Sequence, residues 1–177
     1  MQLNIQHTEE EGNVDGQTCQ YLTFIIGDEE YGVDILSVQE IRGWEETTVI
    51  PNAPEHVKGV INLRGTIVPI VDLRQHFGIS DPDYDALTVV IVLKVIADDM
   101  DRVVGVVVDA VSDVLTLSLD ELKPAPDLGT EVDVSFVTGL ANVKDSMVII
   151  LDINRLLGEG DLNVLNSIDK LQAHVTN

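Results

Sequence analysis

The alternation of hydrophobic and polar residues along the first half of the chain predicts two β-hairpins. Four runs rich in Val, Ile, Leu and aromatic residues have the pattern of strands, at 20–27, 31–34, 57–63 and 66–72. The polar turns Asp28-Glu29-Glu30 and Arg64-Gly65 separate the members of each pair. Residues 35–41 fit either a short helix or an irregular strand, and the spacing of their apolar positions favours the helix. One helical turn is expected at 73–77, closed by Gly78.

The second half of the chain shows the same succession of apolar runs and polar breaks. Further strands are predicted at 87–97, at 102–108, around Val114, at 134–143 and at 146–152. A polar linker at 80–85 separates the two halves, and residues 98–101 form an acidic hairpin tip. A C-terminal helix is expected to begin near Asp152 and to resume at 161–173.

Two segments of the chain are similar enough to predict an internal duplication. Residues 57–72 align with residues 137–152 without a gap. Identical residues occupy the pairs Val57/Val137, Gly59/Gly139, Asn62/Asn142, Val68/Val148, Ile70/Ile150 and Asp72/Asp152. Residues 31–33 and 38–41 match 104–106 and 111–114 more weakly. Because turn and strand positions recur together, we expect a mainly β fold of two small β-barrels packed against each other. Closed barrels would also leave few exposed strand edges in so Val-rich a chain.

Composition narrows the class of protein. Hydrophobic residues make up 45% of the 177 residues and aromatic residues only 4%, so the core must consist of Val, Ile and Leu, which favour strands. The formal charge of −21 opposes binding to nucleic acids or anionic lipid surfaces. Cys19 is the only cysteine, which rules out an internal disulfide and fits a reducing compartment. Neither a signal peptide nor a membrane-spanning apolar run is recognisable, so we expect a cytoplasmic protein.

Residues that could carry catalysis or bind a metal are few. The four histidines do not pair at zinc-ligand spacing and are expected at the surface: His7, His56, His76 and His174. Residues 81–85 resemble the start of a calcium loop, but Ala86 and Val92 stand where that loop needs Gly and Glu. No phosphate-binding loop and no Gly-x-Ser-x-Gly motif is present. We therefore expect no catalytic residue, no cofactor and no metal. An acidic barrel enzyme or metal-binding protein, supported only by residues 81–85 and 98–101, is the alternative.

Arg64 is the most distinctive single residue, because the chain has ten basic residues against thirty-one acidic ones. It lies at a predicted hairpin tip beside Gly65, where it would point outward and could bind a partner's carboxylate with two hydrogen bonds. The other repeat has Lys144-Asp145 at this place, so the two tips differ where their strands agree. The alternative is an internal ion pair, for example with Glu40 or Asp34.

Several long motifs, in order, resemble the CheW family of chemotaxis adaptor proteins. They are residues 21–43, residues 57–74, Val103-Val-Gly-Val-Val-Val-Asp109, Val111-Ser-Asp-Val114 and Lys123-Pro-Ala-Pro126. The resemblance extends from about Gln20 to Leu157. It implies two SH3-like five-stranded β-barrels with pseudo-twofold symmetry, short helices and a C-terminal helix. The hairpin at 95–102 is longer and more acidic than is usual in the family.

The resemblance also implies a domain organisation and a function. Residues 1–17 would be a flexible tail, 18–157 the CheW-like domain, and 158–177 a C-terminal helix or tail. The barrels would occupy approximately 18–80 and 86–157, with or without an exchange of strands between them. The family couples methyl-accepting chemoreceptors to the histidine kinase CheA without catalysis. It binds the CheA regulatory domain, which has the same fold, and the cytoplasmic receptor tip. We expect no insertion into the membrane and a monomer when the protein is alone.

Receptor contact in the family maps to the groove between the barrels. The matching positions in this chain are Val38, Glu40, Gly59, Arg64, Gly105, Val111 and Val114. An apolar groove bordered by Glu40 and Arg64 would suit an amphipathic receptor helix. For the two glycines, a backbone requirement inside the barrels is an equal alternative. We expect neither CheA itself nor a receiver-containing CheV adaptor, because each has domains for which the twenty residues after Leu157 leave no room. An SH3-like nucleic-acid binder is opposed by the charge of −21.

Overall fold

A computed structural model describes residues 17–78, 82–97, 99–125 and 135–158. These residues contain ten strands: β1 (Thr18–Ile26), β2 (Glu29–Asp34), β3 (Val38–Gly43), β4 (Val57–Leu63), β5 (Thr66–Asp72), β6 (Val89–Ala97), β7 (Met100–Val108), β8 (Ala110–Ser118), β9 (Val137–Val143) and β10 (Ser146–Leu151). They also contain the short helices α1 (Leu73–His76) and α2 (Ile153–Gly158), and 3₁₀ turns at Ile35–Ser37 and Leu119–Glu121. The fold is therefore mainly β with short helices, as the sequence predicts.

The strands form two five-stranded sheets, each built from both repeats. The first has the order β8-β1-β2-β10-β9 and the second the order β3-β6-β7-β5-β4. The chain therefore crosses from the first sheet to the second after β2 and returns after β7. The bounds 18–80 and 86–157 separate the two repeats, but they do not separate the two sheets.

Backbone pairs outside the strands close each sheet into a barrel. In the second sheet, Thr48 follows edge strand β3 and exchanges two hydrogen bonds with Val60 on the opposite edge strand β4, of 2.9 and 3.0 Å. In the first sheet, Lys123 follows β8 and pairs in the same way with Leu140 on β9, at 2.8 and 2.7 Å. We call the closed sheets the first and the second barrel. Closure satisfies backbone groups that an open edge would leave unpaired.

The internal duplication is visible in the strand register. Hairpins β4–β5 and β9–β10 have the same pairing, with Ile61 opposite Val68 and Ala141 opposite Val148. Each hairpin then pairs in parallel with a strand of the other repeat, β5 with β7 and β10 with β2. In these pairs Ile70 lies beside Gly105, and Ile150 beside Gly32. A Cβ atom at Gly105 would lie 2.6 Å from Ile70 Cδ1, and one at Gly32 would lie 2.8 Å from Ile150 Cδ1. Both repeats thus use a glycine to admit an isoleucine, which fits the pseudo-twofold relation between the barrels.

Buried side chains form a core inside each barrel and a larger core between them. Strand β6 shows how one strand serves two of these cores. Val90 and Val92 face the interior of the second barrel, whereas Ile91, Leu93 and Val95 face the central core. Because both faces of the strand are buried, its sequence is a nearly continuous apolar run without polar alternation.

The few aromatic side chains cluster beside the central core. All three phenylalanines of the chain belong to this cluster, and the ring centroids of Tyr31 and Phe77 are 5.1 Å apart, those of Phe77 and Phe136 5.9 Å. His56 and His76 adjoin them, with ring centroids 6.5 Å apart. Both histidines are half-buried, so each keeps partial contact with solvent.

The helix favoured for residues 35–41 is present only as one 3₁₀ turn. From Val38 onward the chain is strand β3, paired antiparallel with β6. Pairing with a neighbouring strand outweighs the helical spacing of the apolar residues, because local propensity is a weak determinant. Strand β8 is also longer than the short strand expected around Val114. Asp98 and the segments 1–16, 79–81, 126–134 and 159–177 lie outside the described residues, and with them the expected tails and the helix at 161–173.

Candidate functional site

Two of the predicted site residues, Val38 and Val111, lie where the chain passes between the barrels, and Val114 follows on the same strand as Val111. Val38 opens β3 directly after the 3₁₀ turn Ile35–Ser37, and Val111 follows the return crossing at Asp109. Val38, Val111 and Val114 are half-buried, and all three pack against the central core. We call them the edge valines, because β3 and β8 are edge strands of their sheets. The structure thus brings residues of both barrels to one core.

A shift of register in β3 separates the apolar part of the candidate site from its charged part. Val38 lies opposite Leu93, which belongs to the central core, whereas Glu40 lies opposite Val92, which belongs to the second barrel. The β-bulge between them therefore turns Val38 and Glu40 toward different cores. As a result, Glu40 is near the β4–β5 hairpin rather than beside the edge valines.

Charged side chains form a small network at this end of the second barrel. Arg64 Nη2 is 3.3 Å from Glu40 Oε2, and Arg42 Nη1 is 3.7 Å from Glu40 Oε1. Arg42 also contacts Glu45 at 3.5 Å. The Arg64 side chain is nevertheless 75% exposed. An ion pair so exposed contributes about 0–1 kcal/mol, so Glu40 orients the guanidinium group without sequestering it.

The turn geometry explains why Arg64 is presented to solvent. Arg64 and Gly65 both have positive φ, 51° and 88°, as a two-residue hairpin turn that follows the strand twist requires. The Asn62 side chain fixes the turn by accepting a 2.8 Å hydrogen bond from Gly65 N. Lys144 and Asp145 occupy the same turn in the other repeat, at φ 47° and 66°. The two hairpin tips therefore share a backbone and differ in charge.

Gly59 and Gly105 are buried inside the second barrel, so neither forms part of the outer surface. Gly59 has a φ of +134°, and a Cβ atom there would collide with the carbonyl oxygen of Thr48. Gly105 lacks space for a Cβ because of Ile70 and Val90. Backbone and packing requirements account for both glycines. They can affect a binding surface only through the strands that carry it.

The acidic side chains that support the alternative of an enzyme or metal-binding protein make contacts with residues near them in the sequence. Asp85 Oδ1 accepts hydrogen bonds from the amides of Leu87 and Thr88, at 2.8 and 3.2 Å. Asp101 pairs with Lys94 at 3.1 Å. Across the described ranges, the structure shows no group of three or more His, Cys, Asp or Glu side chains arranged to hold a metal ion. In the same ranges, no helix has the length and apolar character needed to cross a membrane.

Sequence reasoning missed two surface residues beside the predicted site. Leu36, in the 3₁₀ turn before Val38, is 66% exposed although it is apolar. Arg42 shares Glu40 with Arg64. Only Arg42 carried a signal in the sequence, as one of ten basic residues. Only the structure shows that they adjoin the other site residues.

Comparison with known proteins gives one consistent result. Residues 20–161 match the CheW-like domain family. The chain is 46% identical over 151 residues to the chemotaxis protein CheW of Klebsiella aerogenes, covering 85% of this chain and 89% of that protein. It is 39% identical over 135 residues to CheW of Rhizobium meliloti, covering 76% and 84%. The crystal structure of the scaffolding protein CheW from Thermoanaerobacter tengcongensis superposes with a TM-score of 0.70 at 32% identity, covering 82% of this chain and 96% of that one.

Proposed function

The chain belongs to the CheW-like family, and from this we propose that it couples chemoreceptors to the histidine kinase CheA. As a member of the family it is a chemotaxis adaptor with two SH3-like barrels. The finer proposal is that it acts by binding alone, in the cytoplasm, and is recruited to membrane-associated receptor arrays. Two partners are proposed, the cytoplasmic tip of a methyl-accepting receptor and the regulatory domain of CheA. Without them the protein would be monomeric.

We propose the edge valines, together with Arg64, as the receptor-binding site. The observation that carries this proposal is that valines from two different barrels pack against one core, while the exposed Arg64 pairs with Glu40 on β3, the strand of Val38. A receptor helix with an apolar face could lie along Val38, Val111 and Val114, since amphipathic helices bind in apolar grooves. Its flanking carboxylate could then reach Arg64 and form a charge-assisted hydrogen bond. Glu40 would keep the guanidinium group oriented in the free protein.

Gly59 and Gly105 have an indirect part in this proposal. Gly59 allows the second barrel to close beside Thr48, and Gly105 allows β5 and β7 to pair. Both contacts hold the hairpin that presents Arg64. Substituting either glycine would therefore weaken receptor binding by moving the hairpin, without removing a direct contact.

The proposed site is tested by a charge reversal with a matched control. Arg64→Glu and Lys144→Glu make the same change of charge at equivalent turn positions of the two repeats. We expect Arg64→Glu to weaken binding of a purified receptor tip by about tenfold or more, because reversing an interfacial charge leaves a repulsive contact. Lys144→Glu should change it by less than about twofold. Titration calorimetry with the receptor tip and, separately, with the CheA regulatory domain gives both affinities.

A charge exchange separates partner binding from the internal ion pair. The double variant Glu40→Arg/Arg64→Glu restores an ion pair of opposite polarity at the 3.3 Å contact. If Arg64 serves the partner, the double variant binds the receptor tip as weakly as Arg64→Glu does. Recovery of wild-type affinity in the double variant would instead assign Arg64 to the internal pair. Normal receptor binding by Arg64→Glu alone would also overturn the assigned site.

A further inference from the structure

Arg74 is a buried arginine at the start of α1, with only 1% of its side chain exposed. Its Nε and Nη2 donate hydrogen bonds of 3.0 and 2.9 Å to the two carboxylate oxygens of Asp72, which is completely buried. Tyr84 donates a 2.8 Å hydrogen bond to the same carboxylate, and its ring lies 4.7 Å from the guanidinium carbon. Burial opposes the charge of Arg74, but the hydrogen bonds to Asp72 and Asp109 outweigh it and raise the pKa of Arg74.

The remaining guanidinium nitrogen reaches a distant part of the chain. Arg74 Nη1 lies 3.1 Å from Asp109 Oδ1 and 2.6 Å from the carbonyl oxygen of Asp83. Asp109 in turn accepts a 2.7 Å hydrogen bond from Gly27 N through its other carboxylate oxygen. Its own amide donates a 3.0 Å bond to Ile25 O. One arginine thus fixes Asp109 against the hairpin β1–β2 of the first barrel.

Both strands that carry the edge valines are connected to this network. Asp109 immediately precedes β8, and Val111 is only two residues further along the chain. Tyr84 packs against Trp44 in a tilted arrangement with ring centroids 4.3 Å apart, and Trp44 immediately follows β3, the strand of Val38. Arg74 therefore holds the beginning of β8 directly and the end of β3 through Tyr84.

The equivalent position in the other repeat has a different residue and a different role. Asp152 corresponds to Asp72, and Asn154 stands in place of Arg74. The Asn154 side chain accepts a 2.8 Å hydrogen bond from Ile96 N in the β6–β7 hairpin. That contact serves a hairpin with none of the edge valines. The pseudo-twofold relation between the barrels therefore does not by itself require an arginine at residue 74.

We propose that Arg74 is a positioning residue for the receptor site, acting through Asp109 to fix the start of β8 and its edge valines. This inference rests on the proposed function, since it concerns the same receptor-binding surface. Arg74 is buried, so it makes no contact with a partner. Its effect on receptor affinity must be transmitted by the crossing at Asp109.

The test uses variants that disturb this contact while keeping the buried charge paired. Arg74→Lys retains a positive charge beside Asp72 but loses the planar fork that reaches Asp109 as well. Asp109→Ala removes a carboxylate whose side chain is 37% exposed, and the buried Arg74 keeps its ion pair with Asp72. Asn154→Ala is the matched control, because it removes the equivalent side-chain contact of the other repeat. Affinities for the receptor tip and the CheA regulatory domain are measured on the full-length chain, with the folded fraction checked by circular dichroism.

We expect Arg74→Lys and Asp109→Ala each to weaken receptor-tip binding by about fivefold, in the range of changes transmitted through positioning contacts. The double variant should lose no more than either single variant, because both break one connection. The affinity of these variants for the CheA regulatory domain should stay near the wild-type value. Asn154→Ala should keep near wild-type affinity for both partners. Unchanged receptor affinity, additive losses, or equal losses for both partners would each overturn the role of Arg74. Failure of the wild-type chain to bind the receptor tip would instead overturn the proposed function.

Discussion

Gly59 lies so close to the carbonyl oxygen of Thr48 that residue 59 has no room for a side chain. The contact follows from closure of the second barrel, where Thr48 pairs with Val60 beside this glycine. The φ of Gly59, +134°, is also one that residues with a side chain rarely adopt. In the other repeat, a Cβ at Gly139 would lie 3.0 Å from the carbonyl oxygen of Lys123, so the same closure leaves slightly more space there.

Gly59→Ala should therefore be among the most destabilising single substitutions in the chain. Backbone strain and the collision together predict a loss of about 3 kcal/mol in the free energy of unfolding. Gly65→Ala is the control, because Gly65 also has positive φ but has nothing near its missing Cβ. Strain alone predicts a loss of about 1 kcal/mol there. Urea unfolding of both variants measures the difference, and equal losses would show that the Thr48 contact is unimportant.

We expect that a substitution in the Lys144-Asp145 turn can stabilise the protein. Asp145 has a φ of 66°, a conformation that costs residues other than glycine free energy, and the equivalent residue of the other repeat is Gly65. Asp145→Gly should stabilise the protein by about 0.5 kcal/mol, as the preferred residue at the second position of such a turn. The reverse exchange, Gly65→Asp, should destabilise it. Thermal and urea denaturation give both values, and a loss of stability in Asp145→Gly would contradict this reading of the turn.

His56 should make stability depend on pH below neutrality. Burial, and then the charge of Lys58, lower the pKa of His56 from its usual value of 6.5. The unfolded chain therefore binds a proton at higher pH than the folded chain does. The contribution of His56 to stability is complete above about pH 6.5 and declines as pH falls through the lowered pKa of the folded state.

Replacing His56 by Gln should remove this dependence. Because acidic residues also titrate as the pH falls, the informative quantity is the difference in unfolding free energy between wild type and His56→Gln. That difference should shift in favour of the variant between about pH 7 and pH 5. Urea unfolding at several pH values measures it. A difference that is constant with pH would mean that His56 is not desolvated as the structure indicates.

Hairpins and the internal duplication could be predicted from sequence because their signals are local. Residues 57–63 and 66–72 form β4 and β5 with the predicted bounds, since the turn at Arg64-Gly65 and the flanking apolar runs lie next to each other in sequence. The duplication was equally accessible, because residues 137–152 repeat both the strands and the turn.

Long-range arrangement could not be predicted in the same way. Nothing in β5 indicates that its parallel neighbour is β7, thirty-five residues away at the pair Ile70/Gly105. The contacts of Arg74 illustrate the same limit, because Asp109 is as distant in sequence and only the folded chain brings the two together. For residues 35–41 the spacing of apolar positions favours a helix over an irregular strand, and from Val38 onward this preference is wrong for a related reason. The partner strand that makes them extended is β6, far along the chain.

The predicted site residues fall into two groups, which the structure separates by solvent exposure. The family resemblance predicts that Val38, Val111 and Val114 line one groove, and the structure packs all three on one core. Gly59 and Gly105 came from the same resemblance, yet burial removes them from the surface. A sequence motif indicates that a position is important for the family. Only solvent exposure shows whether the residue there can contact a partner or instead supports the strands that do.

The measurement that tests the central claim most directly is kinase activity in a reconstituted complex. Vesicles containing a chemoreceptor are combined with CheA from the same genome, and CheA autophosphorylation is followed with and without this chain. We predict that CheA is strongly activated only when receptor, kinase and chain are all present, and that receptor ligand then controls the activity. Arg64→Glu should lose this effect, and Lys144→Glu should keep it. Kinase activity that is unchanged when the wild-type chain is added to receptor and CheA would contradict the account.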